Sequence, residues 1–184
     1  MIFKDALMAV TQKTKSVRAS EREQARSLKA VAAGKDAIAL LEADHREVDG
    51  WFETYEDLEA DADKKALAAK ICLALKVHTQ IEEELFYPPA RKETGDTDLL
   101  DEAIVEHAGA KTLIAEIEAM QPGQQLYDAK VKVLGEQVRH HVEEEETELF
   151  PEVRQTNLDL EALGVKLAAR KAELMALLAP TATA

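Results

Sequence analysis

The chain has 184 residues, with 7 Gly, 5 Pro and one Cys in a composition dominated by helix formers. That length predicts one domain with an appendage, large enough to bury about 70% of its unfolded surface. The net charge of −13 is uneven: residues 1–35 hold eight Lys and Arg against three Asp and Glu, leaving −18 on the remainder, which argues against nucleic-acid binding by the main domain.

Residues 1–35 are expected to be a basic arm, partly helical or flexible, with a weak helical pattern near 17–33. Its start, MIFKDALMAV, is interrupted by Lys4 and Asp5 and does not read as a signal peptide. Helical periodicity then fills about 36–59, 63–90, 98–120, 124–153 and 158–179. The breaks are EADADK, RKETGDTD, QPG and QTN. Asp36 and Asn157 are expected to cap the first and last helices, and Asp98 with Asp101 resembles an acidic capping pair. No apolar run approaches the ~18 residues of a membrane span. The lone Cys72 excludes an internal disulfide and fits a reducing, cytoplasmic setting.

Four long helices joined by short loops predict an all-α, up-and-down four-helix bundle over 36–154, followed by a C-terminal helix and tail over 155–184. Each helix carries an apolar stripe at steps of three and four. The first reads Ile38, Leu41, His45, Val48, Phe52, Tyr55; the second Leu67, Ile71, Leu75, His78, Glu82, Leu85. The third reads Leu100, Ala103, His107, Ala110, Ile114, Ile117; the fourth Val131, Leu134, Val138, His141, Glu145, Leu149. Every stripe contains one histidine, and two contain a glutamate four residues after it. Buried carboxylates need a counter-charge. A two-metal cage supplies it, with His78 and Glu82 on one helix, His141 and Glu145 on another, and His45 and His107 completing the set.

The cage is spelled twice, as HTQIEEELFYP over 78–88 and HVEEEETELFP over 141–151. His140 rivals His141, but its own stripe is polar, and only His141 aligns the two closing prolines. His140 is therefore assigned to the surface or to a place behind a ligand. Glu83 and Glu146 match across the repeat and are expected to face solvent, as are Glu143 and Glu144. Cys72 reads as a small core residue. Imidazole with carboxylate suits iron, manganese, zinc or copper, and a carboxylate-bridged pair in a bundle favours iron or manganese.

The pattern His45, His78-x3-Glu82, His107, His141-x3-Glu145 resembles the hemerythrin-like, or HHE cation-binding, domain of bacterial type. The resemblance covers residues 36–154, and LEALGVKLAARKAEL is similar to the helix that follows many bacterial members. It implies two non-haem iron ions per chain joined by an oxo or hydroxo bridge, with manganese or zinc as substitutes. It also implies a small-molecule partner: oxygen, peroxide or nitric oxide, in oxidative or nitrosative stress or in sensing.

The oxygen carriers of that family place a further His one turn after the third-helix ligand, where this chain has Lys111. They also use His-x4-Asp on the last helix, where this chain has His141-x3-Glu145. The set is closer to that of di-iron proteins proposed to repair iron centres. Two other readings stand beside it, an iron-sensing or storage module without catalysis and a metal-free helical interaction protein. No catalytic residue is assigned. The sequence leaves open whether the site is a di-iron oxidoreductase, and it identifies no protein partner.

Overall fold

The computed structural model describes residues 36–95 and 97–179. The basic arm, its weak helical pattern and the tail beyond 179 lie outside the described residues. Those described are all helical apart from short connections: α1 (Ala37–Glu56), α2 (Asp61–Ile81), α3 (Tyr87–Thr94), α4 (Asp98–Glu118), α5 (Tyr127–Glu144), α6 (Phe150–Arg154) and α7 (Leu160–Leu178). Two π-helical segments, Glu82–Phe86 and Glu145–Leu149, join α2 to α3 and α5 to α6. The bundle therefore consists of α1, the long rod α2–α3, α4 and the long rod α5–α6. The additional helix α7 packs on the seam between α1 and α2.

Local chemistry sets the ends. The Asp36 carboxylate accepts from the Ala39 N–H at 2.8 Å, a cap worth about 1 kcal/mol. Arg154 donates to its other oxygen at 2.9 Å, tying the end of α6 to the start of α1. Gly95 closes α3 at φ +74°, a left-handed conformation suited to glycine. Two expected caps differ. Asp159, not Asn157, caps α7 by accepting from Ala162 N–H at 2.9 Å; Asn157 lies two residues too early to reach that amide. At α4, Thr97 holds the cap position, and Asp101 is turned to Arg91 at 2.6 Å.

The stripes of α1 and α4 are buried at every predicted position. The second stripe slips at its end: Leu85 is half-buried and Phe86 takes the core position. The cause is the π segment, which inserts one residue into the turn and rotates the residues beyond it. Close approach also matters at Gly135, where a Cβ would stand 3.0 Å from the Phe52 ring, so α5 meets α1 only because that side chain is absent. Cys72 is buried among apolar neighbours.

The apolar core is split in two. One part holds Ile38, Leu41, Val77, Ile81, Phe86 and Phe150 with Leu163, Leu167 and Leu174 of α7. The other holds Phe52, Ile71, Leu75, Ile114, Leu134 and their neighbours. Between them lies a buried polar layer: Asp44, His45, His78, Glu82, His107, His141 and Glu145.

Candidate metal centre

The six side chains singled out by spacing meet in this layer, one or two from each rod of the bundle. His45 Nε2 faces His78 Nε2 at 3.1 Å, and His107 Nε2 faces His141 Nε2 at 3.1 Å. Glu82 lies between the two pairs, with Oε1 3.1 Å from His78 and Oε2 3.4 Å from His107. Glu145 turns Oε2 toward both, 3.3 Å from His45 and 3.5 Å from His141. Two overlapping groups result: His45, His78, Glu82 and Glu145, and Glu82, His107 and His141.

Both glutamates open a π segment, and a proline closes each repeat. Tyr87 N–H reaches Glu82 C=O, and Phe150 N–H reaches Glu145 C=O, five residues back. Pro88 and Pro151 come directly after. A proline inside an α-helix lacks the N–H for the carbonyl four residues earlier and clashes with it, at a cost of about 3 kcal/mol. The widened turn relieves that conflict. Glutamate, π turn and proline thus form one local unit, written twice.

Each histidine has a carboxylate behind it. Nδ1 of His45 donates to Glu146 at 2.9 Å, Nδ1 of His107 to Glu83 at 3.0 Å, and Nδ1 of His141 to Glu106 at 2.8 Å. Nδ1 of His78 lies 3.6 Å from Asp44, close but beyond hydrogen-bond range. Glu83 and Glu146 keep much of the solvent exposure expected of them, at 32% and 35% of the side chain, and add a contact that helical spacing did not place. Both reach across to the histidine of a neighbouring rod, and Lys111 pins Glu83 at 2.6 and 2.8 Å. Lys111 thus points away from the centre.

A proton committed to Nδ1 leaves the Nε2 lone pair aimed inward. Such lone pairs, facing each other and a carboxylate, repel unless a cation or proton lies between them. The burden shows on the carboxylates. Both oxygens of Glu82 and Oε2 of Glu145 are buried with no hydrogen-bond partner among the described residues. Donor separations of 3.1–3.5 Å are those of neighbouring ligands around an ion with bonds of about 2.0–2.2 Å. The orphaned oxygens and the nitrogen-oxygen donor set fit a transition-metal pair.

The electrostatics agree. Burial pulls the His78 imidazole down, but Glu82 and Asp44 outweigh it and lift the pKa to about 10. Burial and the neighbouring His141 drive His107 down to about 2. Burial and the Glu145 charge push Glu82 up. Burial would also raise Glu145, but His45 and His141 hold it down, to about 2.

Sequence periodicity missed Tyr87. Its hydroxyl donates to Glu145 Oε1 at 2.9 Å and lies 3.4 Å from His107 Nε2. Burial, then Glu82 and Glu145, raise its pKa well above that of a free phenol. Its counterpart in the repeat is Phe150, stacked on His45 as Tyr87 is on His107. The hydroxyl is therefore one feature that makes the two halves of the layer unequal. A cavity of about 30 Å3 adjoins the four histidines, walled mainly by Val48, Leu75, Ala110, Val138 and Val142.

The family model described as the hemerythrin HHE cation binding domain matches residues 36–153. A curated protein from Nostoc sp., described as a DNA nickase, is 28% identical over 115 residues. That match takes in 62% of this chain, and the chain spans about a third (32%) of that relative's length. A solved structure, a hemerythrin HHE cation binding domain-containing protein from Mycobacterium kansasii, shares the fold at a TM-score of 0.67 and 24% identity. The match covers 78% of this chain and 89% of that one.

Proposed function

The chain belongs to the hemerythrin HHE cation binding family, and from that membership we propose that its polar layer is a non-haem di-iron centre that reacts with a small oxidant. The observation that carries the reading is the convergence of four Nε2 atoms on carboxylate oxygens that are buried and unpartnered. His45 and His78 would hold one ion and His107 and His141 the other. Glu82 would bridge them with one oxygen each, and Glu145 would present Oε2 to both. Bound there, iron supplies open coordination positions and transferable electrons.

The protein supplies the rest. Glu146, Glu83 and Glu106 fix the tautomers and orientations of His45, His107 and His141, which keeps their inward nitrogens basic, and Asp44 faces His78 from 3.6 Å. The apolar cavity admits a molecule the size of oxygen or nitric oxide and little more, since one water needs about 10–15 Å3. Its walls offer few polar groups to a hydrated solute, which favours those two over peroxide. The Tyr87 proton is held by Glu145 Oε1 at 2.9 Å and the hydroxyl oxygen lies 3.4 Å from His107 Nε2, so turning that proton from Glu145 would offer a hydrogen bond to whatever binds on that side. No histidine from the Lys111 position would close the second half, so a bound metal pair would leave room for a ligand on both sides. That openness favours reaction and oxidation over reversible carriage, in keeping with a role in oxidative or nitrosative stress. We place this chemistry in the cytoplasm and assign nucleic acid no part in it, since residues 36–184 carry a net −18.

The test is iron content with an optical spectrum, recorded on reduced protein before and after oxygen. About two irons per chain, with conversion to the oxidised form after the first exposure, support the reading. Repeated full release of oxygen under vacuum, without oxidation, contradicts the chemistry. A chain that takes up no iron contradicts the site.

A further inference from the structure

The two halves of the bundle repeat each other's contacts. Asp44 stands behind His78 as Glu106 stands behind His141, one residue before the histidine of the preceding rod in each case. On the first half, α7 covers the outer face. Val77 and Ile81 are fully buried beneath it, and Lys171 places its ammonium on the outer oxygen of Asp44 at 2.5 Å. On the second half no helix among the described residues covers the equivalent face. The positions matching Val77 and Ile81 are His140 and Glu144, and both reach toward Glu106. The outer oxygen of Glu106, Oε1, has no lysine or arginine within ion-pair range among the described residues. It faces His140 Nε2 at 3.7 Å, and that nitrogen lies 3.5 Å from Glu144 Oε1.

From this comparison we propose that Glu106, His140 and Glu144 form a third metal site, solvent-facing, for one divalent transition-metal ion. Two independent observations carry it. The three donor atoms lie within 4.8 Å of one another, and one imidazole with two carboxylates suits manganese, iron or zinc. The mate of Glu106 also holds a lysine's charge at the equivalent oxygen, a place that on this half only the exposed His140 imidazole faces, at 3.7 Å. His140-x3-Glu144 repeats the spacing of His141-x3-Glu145 one residue out of phase, which aims the same pair of donors outward. Glu106 spans the two levels: Oε2 holds His141 Nδ1 at 2.8 Å while Oε1 meets the outer ion. An ion bound there would sit against the carboxylate behind the buried His141. The His140 side chain is 62% exposed, and those of Glu106 and Glu144 are 22% and 28% exposed, so the site opens to solvent.

The experiment uses the full chain loaded with two equivalents of Zn2+, which the buried layer takes first, with elemental analysis showing two ions and no third before Mn2+ is titrated in and electron paramagnetic resonance counts the free ion. Mn2+ binds more weakly than Zn2+ to such donors and does not displace it. One Mn2+ per chain is expected for the natural protein. In His140→Ala and Glu144→Gln its affinity should fall about tenfold or more, since losing a ligand costs at least what losing a supporting hydrogen bond does. No bound Mn2+, or equal affinity in His140→Ala, overturns the proposal; the first outcome means that His140 itself serves as the cation. A second measurement needs no variant. In imidazole-15N-labelled natural protein, Mn2+ should broaden the His140 ring signals first, and unbroadened His140 signals at saturating Mn2+ overturn the site.

Discussion

Removing metal should cost this protein a large part of its stability. Three carboxylate oxygens, both of Glu82 and Oε2 of Glu145, are buried without a hydrogen-bond partner. At about 1–3 kcal/mol for each unsatisfied buried group, the metal-free layer carries a deficit of about 3–9 kcal/mol. Binding confined to the folded state returns at least part of it; free metal at about 100 times its Kd adds ~2.7 kcal/mol per site. A chain this size shifts by about 2–4 °C per kcal/mol, so chelation should lower Tm by at least about 6 °C. The assay is calorimetry on chelator-treated and reloaded protein, with Glu82→Gln as control. The control should melt at nearly one temperature with or without metal. Natural protein whose two forms melt within about 2 °C of each other would refute the reasoning, because the orphaned oxygens would then carry no penalty that metal relieves.

The same geometry sets three further outcomes. His141→Ala should lose at least one of the two buried ions, whereas His140→Ala should leave the buried complement intact; elemental analysis after desalting separates them, and the reverse result would show the repeat misaligned by one residue. Glu146→Ala frees the His45 ring, whose Nδ1 donates to Glu146 at 2.9 Å, and should weaken metal affinity about 10–100-fold; unchanged affinity in a competition titration would remove Glu146 from the support of the centre. Metal uptake near pH 7 should release protons, because Glu82 and Asp44 overcome burial and hold His78 at about 10 in the metal-free chain. A raised folded pKa stabilises the metal-free state fully below about 6.5 and ceases to do so as pH rises through about 10. The loaded protein's advantage in Tm should therefore widen over that window, and calorimetry in two buffers of different ionisation enthalpy that finds no proton release would contradict it.

The bundle was legible because its stripes obey one period. The positions of His45, His78, His107 and His141 are core positions in an uninterrupted helix, and the structure brings them to one level. Glu82 and Glu145 were legible because i and i+4 share a face. The features beyond reach came from broken periods and from contacts between rods. The π turns after Glu82 and Glu145 add a residue, so Phe86 enters the core where helical counting placed Leu85. Glu83 and Glu146 lie off the stripe of their own rods and meet histidines of neighbouring ones, which no single-helix pattern encodes. Asp44 and Glu106 each precede a stripe histidine, a signal visible only once the halves are superposed. Tyr87 was marked by the exchange of YP for FP at the close of the repeat, which places a phenol in one half of the layer and a bare ring in the other.

The most direct measurement of the central claim is anomalous diffraction at the iron edge from crystals of iron-loaded protein. Two peaks about 3.5–4 Å apart, one beside His45 and His78 and the other beside His107 and His141, with Glu82 between them, are predicted. A single peak, or iron density only outside the His and Glu layer, would contradict the dinuclear centre.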